Sequence, residues 1–179
     1  YMIAEHPDVC LPVNVCYDGF YSSHLTSGVI IPDQDEVDRV LTPHAVNHKP
    51  ILDPKYPLAL DPMTPGDLLM HYRKNHLESM QKAQDVIDDV DKRFAEVFGR
   101  SYGGVIEEYR CEDAEVVVVT MGGITGTGKD AVDEARERGI RVGLIKIRFY
   151  RPFPAKRIAK ALQGKKAFCV VDRSVSFGW

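Results

Sequence analysis

Between residues 115 and 173 the chain alternates short apolar blocks with amphipathic polar stretches. EVVVVTM (115–121) is almost continuously apolar, the pattern of a strand covered on both faces. GKDAVDEARERG (128–139) has helical spacing and stops at Gly139, and RVGLIKIRFY (141–150) predicts the next strand. PAKRIAKALQG (154–164) predicts a second helix and KAFCVVDR (166–173) a third strand. The order β-α-β-α-β predicts an α/β fold with a parallel sheet. Ligands of such sheets sit at the carboxyl ends of the strands, here residues 121–127, 150–154 and 173–179.

Upstream the pattern changes. In residues 64–99 apolar side chains recur every three or four positions: Leu69, Tyr72, His76, Met80, Ala83, Ile87, Val90, Phe94 and Val97. With Thr64 or Asp67 as cap, Pro65 in the first turn and Gly99 as stop, this predicts one long amphipathic helix. At about 30 residues and 1.5 Å per residue it spans about 45 Å, more than a small domain covers. Its stripe is therefore expected to pack on another domain or subunit. Residues 32–66 contain seven prolines, too many for long regular elements, and predict an arm or linker over 31–63. VCLPVNVCY (9–17) predicts a buried strand, with DGF (18–20) as the turn after it. The division that follows is 1–30, the arm 31–63, the helix 64–100 and the α/β part 101–179.

The turn after the first parallel strand carries a chemical question. Gly123 to Lys129 reads G-x-x-x-x-G-K, a phosphate-binding loop pattern whose next position, normally Ser or Thr, is Asp130. A carboxylate there, expected in the first helical turn, satisfies the helix N-terminus itself and repels a triphosphate. The pattern fails where the magnesium chemistry lies. A tight turn without ligand is the plain reading, and a nucleotide- or anion-binding module using residues 122–129 is the alternative. Gly122, Gly123, Thr125, Gly126, Thr127 and Arg151 are then the candidates for an anion or interdomain contact. Arg148 and Arg151 flank an aromatic pair, which suits a salt bridge or an anionic partner.

Other constellations carry less. His44 and His48 are four apart but flanked by Pro43 and Pro50, which argues against a helical metal pair, and no metal site is expected. Asp18, Ser23 and His24 supply hydrolase residue types, yet adjacent Ser and His are not expected to hydrogen-bond as a triad requires. The plain readings are an Asp18 side chain bonded to its own turn and local hydrogen bonds around Ser23 and His24.

Composition removes several classes. The 179 residues are 44% hydrophobic and 27% charged, as in ordinary globular proteins. No apolar run reaches the roughly 18 residues of a membrane span. The four cysteines (Cys10, Cys16, Cys111, Cys169) form no C-x-x-C pair, which argues against a zinc site, an iron–sulfur cluster or a disulfide framework here. A reducing cytoplasm is the expected compartment. Residues 1–128 carry 10 Lys/Arg and 21 Asp/Glu, and residues 129–179 carry 13 and 5. This asymmetry suits contacts between parts or with partner subunits; without interleaved aromatics it does not suit nucleic acid. The chain opens on Tyr1 and ends on Trp179 just past an apolar stretch, and it reads as a segment of a longer protein.

Two stretches together resemble one family. LPVNVCYDGFYSSH, with Asp18, Gly19, Phe20, Ser23 and His24 as its motif positions, is similar to the end of the pyrimidine-binding domain in the 2-oxoacid:ferredoxin oxidoreductases, above all the alpha subunits of the pyruvate synthase type. YRCEDAEVVVVTMGGITGTGKDAVDEARERGIRVGLIKIRFYRPFP, with VVDRSVSFG downstream, resembles the same family's second domain, which is like the carboxy-terminal domain of transketolases. The resemblance implies that residues 1–30 end the pyrimidine-binding domain and that 101–179 is the second domain, truncated at its C-terminus. It implies an enzyme that oxidatively decarboxylates a 2-oxoacid, with pyruvate favoured, makes acyl-CoA, and passes electrons to ferredoxin. Thiamine diphosphate with Mg2+, coenzyme A and iron–sulfur clusters are implied for the full enzyme and none within this segment. The implied partners are other subunits and ferredoxin, with no nucleic acid and no membrane. No catalytic residue is carried over to this segment, which is expected to be inactive alone and to serve as a scaffold and subunit interface.

Overall fold

The structure is a computed structural model and describes residues 1–20, 22–41, 53–55, 57 and 63–173. The His44/His48 pair, the arm prolines Pro43, Pro50 and Pro62, and the downstream half of VVDRSVSFG lie outside the described residues. The chain divides into two compact units, Tyr1–Val13 with Ile31–Arg100 and Asn14–Ile30 with Ser101–Trp179.

The first unit is helical. Helix α1 (Gln34–Val40) starts after Asp33, whose backbone N–H donates to the Glu36 carboxylate at 3.2 Å. This D-x-x-E signal was present in the sequence inside the proline-rich arm. Helix α2 (Gly66–Phe98) runs 33 residues, follows Pro65, and ends at Gly99 in the left-handed conformation, φ 67°. The Gly99 N–H closes the last turn on Ala95 O at 2.8 Å. Its stripe is covered only in the second half: Ala83 and Val86 are buried with Val9, flanked by Ile3, Leu11 and Val90. Leu69 and Tyr72, in the first half, remain about half exposed.

Residues 9–17 do not form the expected strand. They are irregular, and Val13, Val15 and Tyr17 are exposed while Val9 alone of the stretch is buried. Pro12 interrupts any ladder, and the chain passes from one unit to the other at Val13–Asn14, so no single sheet could use the whole stretch.

The second unit is a four-stranded sheet of order β1-β3-β2-β4, with β1 Ile106–Tyr109, β2 Val116–Met121, β3 Val142–Ile147 and β4 Ala167–Val171. Strand β2 pairs in parallel with β3 and β4, as the α/β pattern predicts. Strand β1 was not expected. It adds antiparallel to β3 (Ile106 opposite Ile147), and its four residues IEEY lack the alternation that marks a longer strand.

Side chains alternate across this sheet and each face takes a helix. Val117, Val119 and Ile145 meet Ile158, Ala161 and Leu162 of α4 (Ala155–Leu162). Val118 and Leu144 meet Val132 and Ala135 of α3 (Ile124–Glu137). Cover on both sides explains why β2 reads as an unbroken apolar run.

Cys111 is buried in this core, and its thiol donates to Leu144 O at 3.3 Å and Tyr109 O at 3.5 Å. Burial pushes the thiol pKa up, which keeps it an inert packing group. On the surface, Arg136 holds the Asp113 carboxyl below the usual carboxylate range through a hydrogen bond at 2.7 Å.

Candidate functional site

The carboxyl ends of the parallel strands gather most of the predicted site residues. After Met121 the chain makes one tight turn at Gly122–Gly123 and enters α3 at Ile124. The helix therefore begins four residues earlier than the sequence pattern suggested, and residues 124–129 are helix, not loop. Asp130 lies in the second turn, so it is not the group that satisfies the helix N-terminus.

Gly122 takes φ 76°, the left-handed conformation glycine adopts without strain. At Gly123 the requirement is space: a Cβ there would run into the Asp18 carboxylate. Thr125 is buried and its hydroxyl pairs with that of Thr120 at 3.0 Å, tying the first turn of α3 to the end of β2. Gly126 and Thr127 are exposed on the helix surface.

Lys129, the phosphate-binding lysine of the pattern, is engaged elsewhere. Its ammonium makes a partly buried ion pair with Glu107 on β1 and sits 5.1 Å from the centroid of the Tyr109 ring. Tyr109 in turn donates its hydroxyl to Asp133 at 2.8 Å. Lys129 lies in the second turn of the helix, six residues past Gly123, and its charge is matched on the neighbouring strand. A titration of the chain with Mg-ATP should give no saturable heat, and Lys129→Ala should be indistinguishable; micromolar binding lost in that variant would restore the nucleotide-binding reading.

Asp18 occupies the position a bound anion would take. One carboxylate oxygen accepts the Gly123 N–H at 2.5 Å and the other accepts Arg173 Nη2 at 2.5 Å. Asp18 thus does not bond its own turn, as the sequence suggested, but joins three segments far apart in the chain. Arg173 had no sequence signal beyond its place after the last strand.

The rest of the motif is a compact turn. Gly19 and Phe20 form the bend, Phe20 with φ 64°, and its N–H donates to Ser23 Oγ at 2.9 Å. Ser23 Oγ and His24 Nδ1 are 2.7 Å apart, a local hydrogen bond of the kind the plain reading expects between these neighbours. His24 also stacks on the Phe20 ring at 5.2 Å. With Asp18 committed to Gly123 and Arg173, these three residues do not make a relay.

At the end of β3, Arg151 lies over the Tyr150 ring at 4.3 Å and is exposed, while Arg148 donates to Gly104 O at 2.7 Å between Tyr102 and Phe149.

The profile described as pyruvate flavodoxin/ferredoxin oxidoreductase, thiamine diphosphate-binding, matches residues 1–92, and that of pyruvate:ferredoxin oxidoreductase core domain II matches residues 114–179. The alpha subunit of NADH-dependent phenylglyoxylate dehydrogenase from Aromatoleum evansii is 48% identical over 100% of this chain and 44% of its own length. Pyruvate synthase subunit PorA of Methanothermobacter thermautotrophicus is 39% identical over 99% of this chain and 45% of its own length. The corresponding subunit of Methanosarcina barkeri is 40% identical over 99% and 44%. The chain spans about half the length of these relatives, and it belongs to the pyruvate flavodoxin/ferredoxin oxidoreductase family.

Proposed function

We propose that this chain is part of a thiamine-diphosphate-dependent 2-oxoacid oxidoreductase that makes or consumes acyl-CoA, and that within it the segment is a scaffold and subunit interface. The carrying observation is that two family profiles match in order along the chain, and that relatives of this kind align from end to end of it. The half-exposed first half of α2 supports the interface role, because Leu69, Met70 and Tyr72 are large apolar side chains left uncovered within their unit. Among the described residues no helix is long and apolar enough to cross a membrane, and the reading places the enzyme in the cytoplasm.

Thiamine diphosphate needs a diphosphate cradle and ligands for its Mg2+. Among the described residues no group of three His, Cys, Asp or Glu side chains could hold a metal ion. The Gly122–Gly123 bend already carries the Asp18 carboxylate, and Lys129 is paired with Glu107. These residues do not fit the cofactor, and no reaction step is assigned to them. In this reading the cofactor, coenzyme A and the iron–sulfur clusters are held by the rest of the enzyme, in other domains and subunits.

Two substrates compete. Pyruvate with ferredoxin as acceptor follows the PorA relatives; an aromatic 2-oxoacid with a nicotinamide acceptor follows the relative at 48% identity. Assays of the assembled enzyme containing this chain, with pyruvate or phenylglyoxylate and with ferredoxin or NAD, decide between them. Pyruvate-dependent reduction of ferredoxin is expected; activity confined to phenylglyoxylate and NAD would replace the first reading by the second. Inactivity with every 2-oxoacid would remove both.

A further inference from the structure

Helix α3 has no capping side chain of its own: Gly123 stands at its N-cap and its first turn carries no acidic residue. The N–H groups of Thr125 and Gly126 reach back to Gly122 O and Gly123 O at 3.3 Å, and the Gly123 N–H and the positive end of the dipole are met from outside the helix. The cap comes instead from Asp18, 105 residues upstream, which also takes the guanidinium of Arg173 beyond β4.

We propose that Asp18 is a clasp built into the fold. Its single carboxylate caps α3, neutralises Arg173, and fastens the irregular segment 14–30 to the carboxyl ends of β2 and β4. Three observations carry this. Segment 14–30 has no helix or strand among its described residues, yet it clusters with the sheet unit and not with the residues on either side of it. Its large apolar side chains Val15, Tyr17, Phe20, Leu25 and Val29 are 68–84% exposed, so apolar burial does little to hold it. Gly123 leaves the space that the carboxylate fills and that any Cβ would take.

Charge-assisted hydrogen bonds are the strong kind, and here one oxygen goes to a backbone N–H and the other to an arginine. The Asp18 side chain is 20% exposed, while Arg173 at 57% leaves the pair open to salt and can swing free once the carboxylate is lost. The clasp thereby sets where the Phe20–Ser23–His24 turn is presented.

Hydrogen exchange on the chain tests this. Asp18→Ala should speed exchange at least tenfold both in peptides covering 14–30 and at the start of α3, with β2 and β3 unchanged. Asp18→Asn, which keeps an acceptor but not the charge, should fall between. Raising KCl to about 1 M should loosen segment 14–30 in the native chain but not in Asp18→Asn. If Asp18→Ala does not fold, Arg173→Gln and Gly123→Ala serve instead, each removing one side of the clasp. Unchanged exchange over 14–30 in these variants, or a salt response identical with and without the charge, would overturn the proposal. The result is independent of whether the enzyme oxidises any 2-oxoacid.

Discussion

Gly143→Val is expected to cripple folding of the α/β unit. Gly143 lies in β3, and a Cβ there would meet Arg110 O at 2.7 Å, with Cys111 Cα and Ala114 Cβ each at 3.0 Å. Two of these three atoms are backbone, so the neighbours cannot rotate away. Glycine in a strand interior is otherwise unfavourable, and close approach of another backbone is the reason to keep it. Overpacking of this kind costs about 3 kcal/mol or more for a branched side chain, at the upper end of the usual range. The control is Gly126→Ala, where nothing lies within 4 Å of the added methyl and the residue is helical. That change should gain about 0.5–1 kcal/mol. Urea unfolding followed by circular dichroism should separate the two by several kcal/mol; equal stabilities would show that the 110–114 backbone does not press on β3.

The second large effect is expected at Ile145. It has no exposed surface and packs in the core with Ile106, Val117 and Val119. Strand β3 is internal, paired with β1 on one side and β2 on the other, so the cavity left by Ile145→Ala has little room to collapse. A loss of about 3–5 kcal/mol follows from deleting a fully buried aliphatic side chain. Val170→Ala, on the exposed strand β4 where Val170 is 65% exposed, should change stability by no more than about 0.5 kcal/mol in the chain. A comparable loss at both positions in the same unfolding experiment would contradict this placement of the core.

Periodicity made much of this fold legible. The continuous apolar run of β2, the Gly99 stop of α2 and the strand-helix alternation after residue 115 are local signals, and the structure follows them. The expected start of α3 falls four residues late because Gly122, Gly123 and Gly126 read together as a loop, whereas here Thr125 bonds Thr120 and draws the helix back to the strand. Strand β1 escaped because an antiparallel edge strand of four residues has no period to detect. Residues 9–17 looked like a strand by composition, but Pro12 and the passage between units override β propensity.

The candidate site shows the same limit more sharply. A G-x-x-x-x-G-K spacing says where glycines fall, not what fills the bend. What fills it is Asp18, whose link to Gly123 spans 105 residues and leaves no trace in local pattern. Lys129 looked free to meet a phosphate because its partner Glu107 belongs to the strand the pattern missed. Family likeness located the motif from Asp18 to His24, and only coordinates showed which contacts its members make.

The most direct measurement compares turnover by the chain alone with turnover by the assembled enzyme containing it. The assay follows 2-oxoacid-dependent reduction of an electron acceptor in the presence of coenzyme A and thiamine diphosphate. The account predicts activity in the assembly and none above background in the chain; sustained turnover by the chain alone would place the reactive machinery in these residues and contradict it.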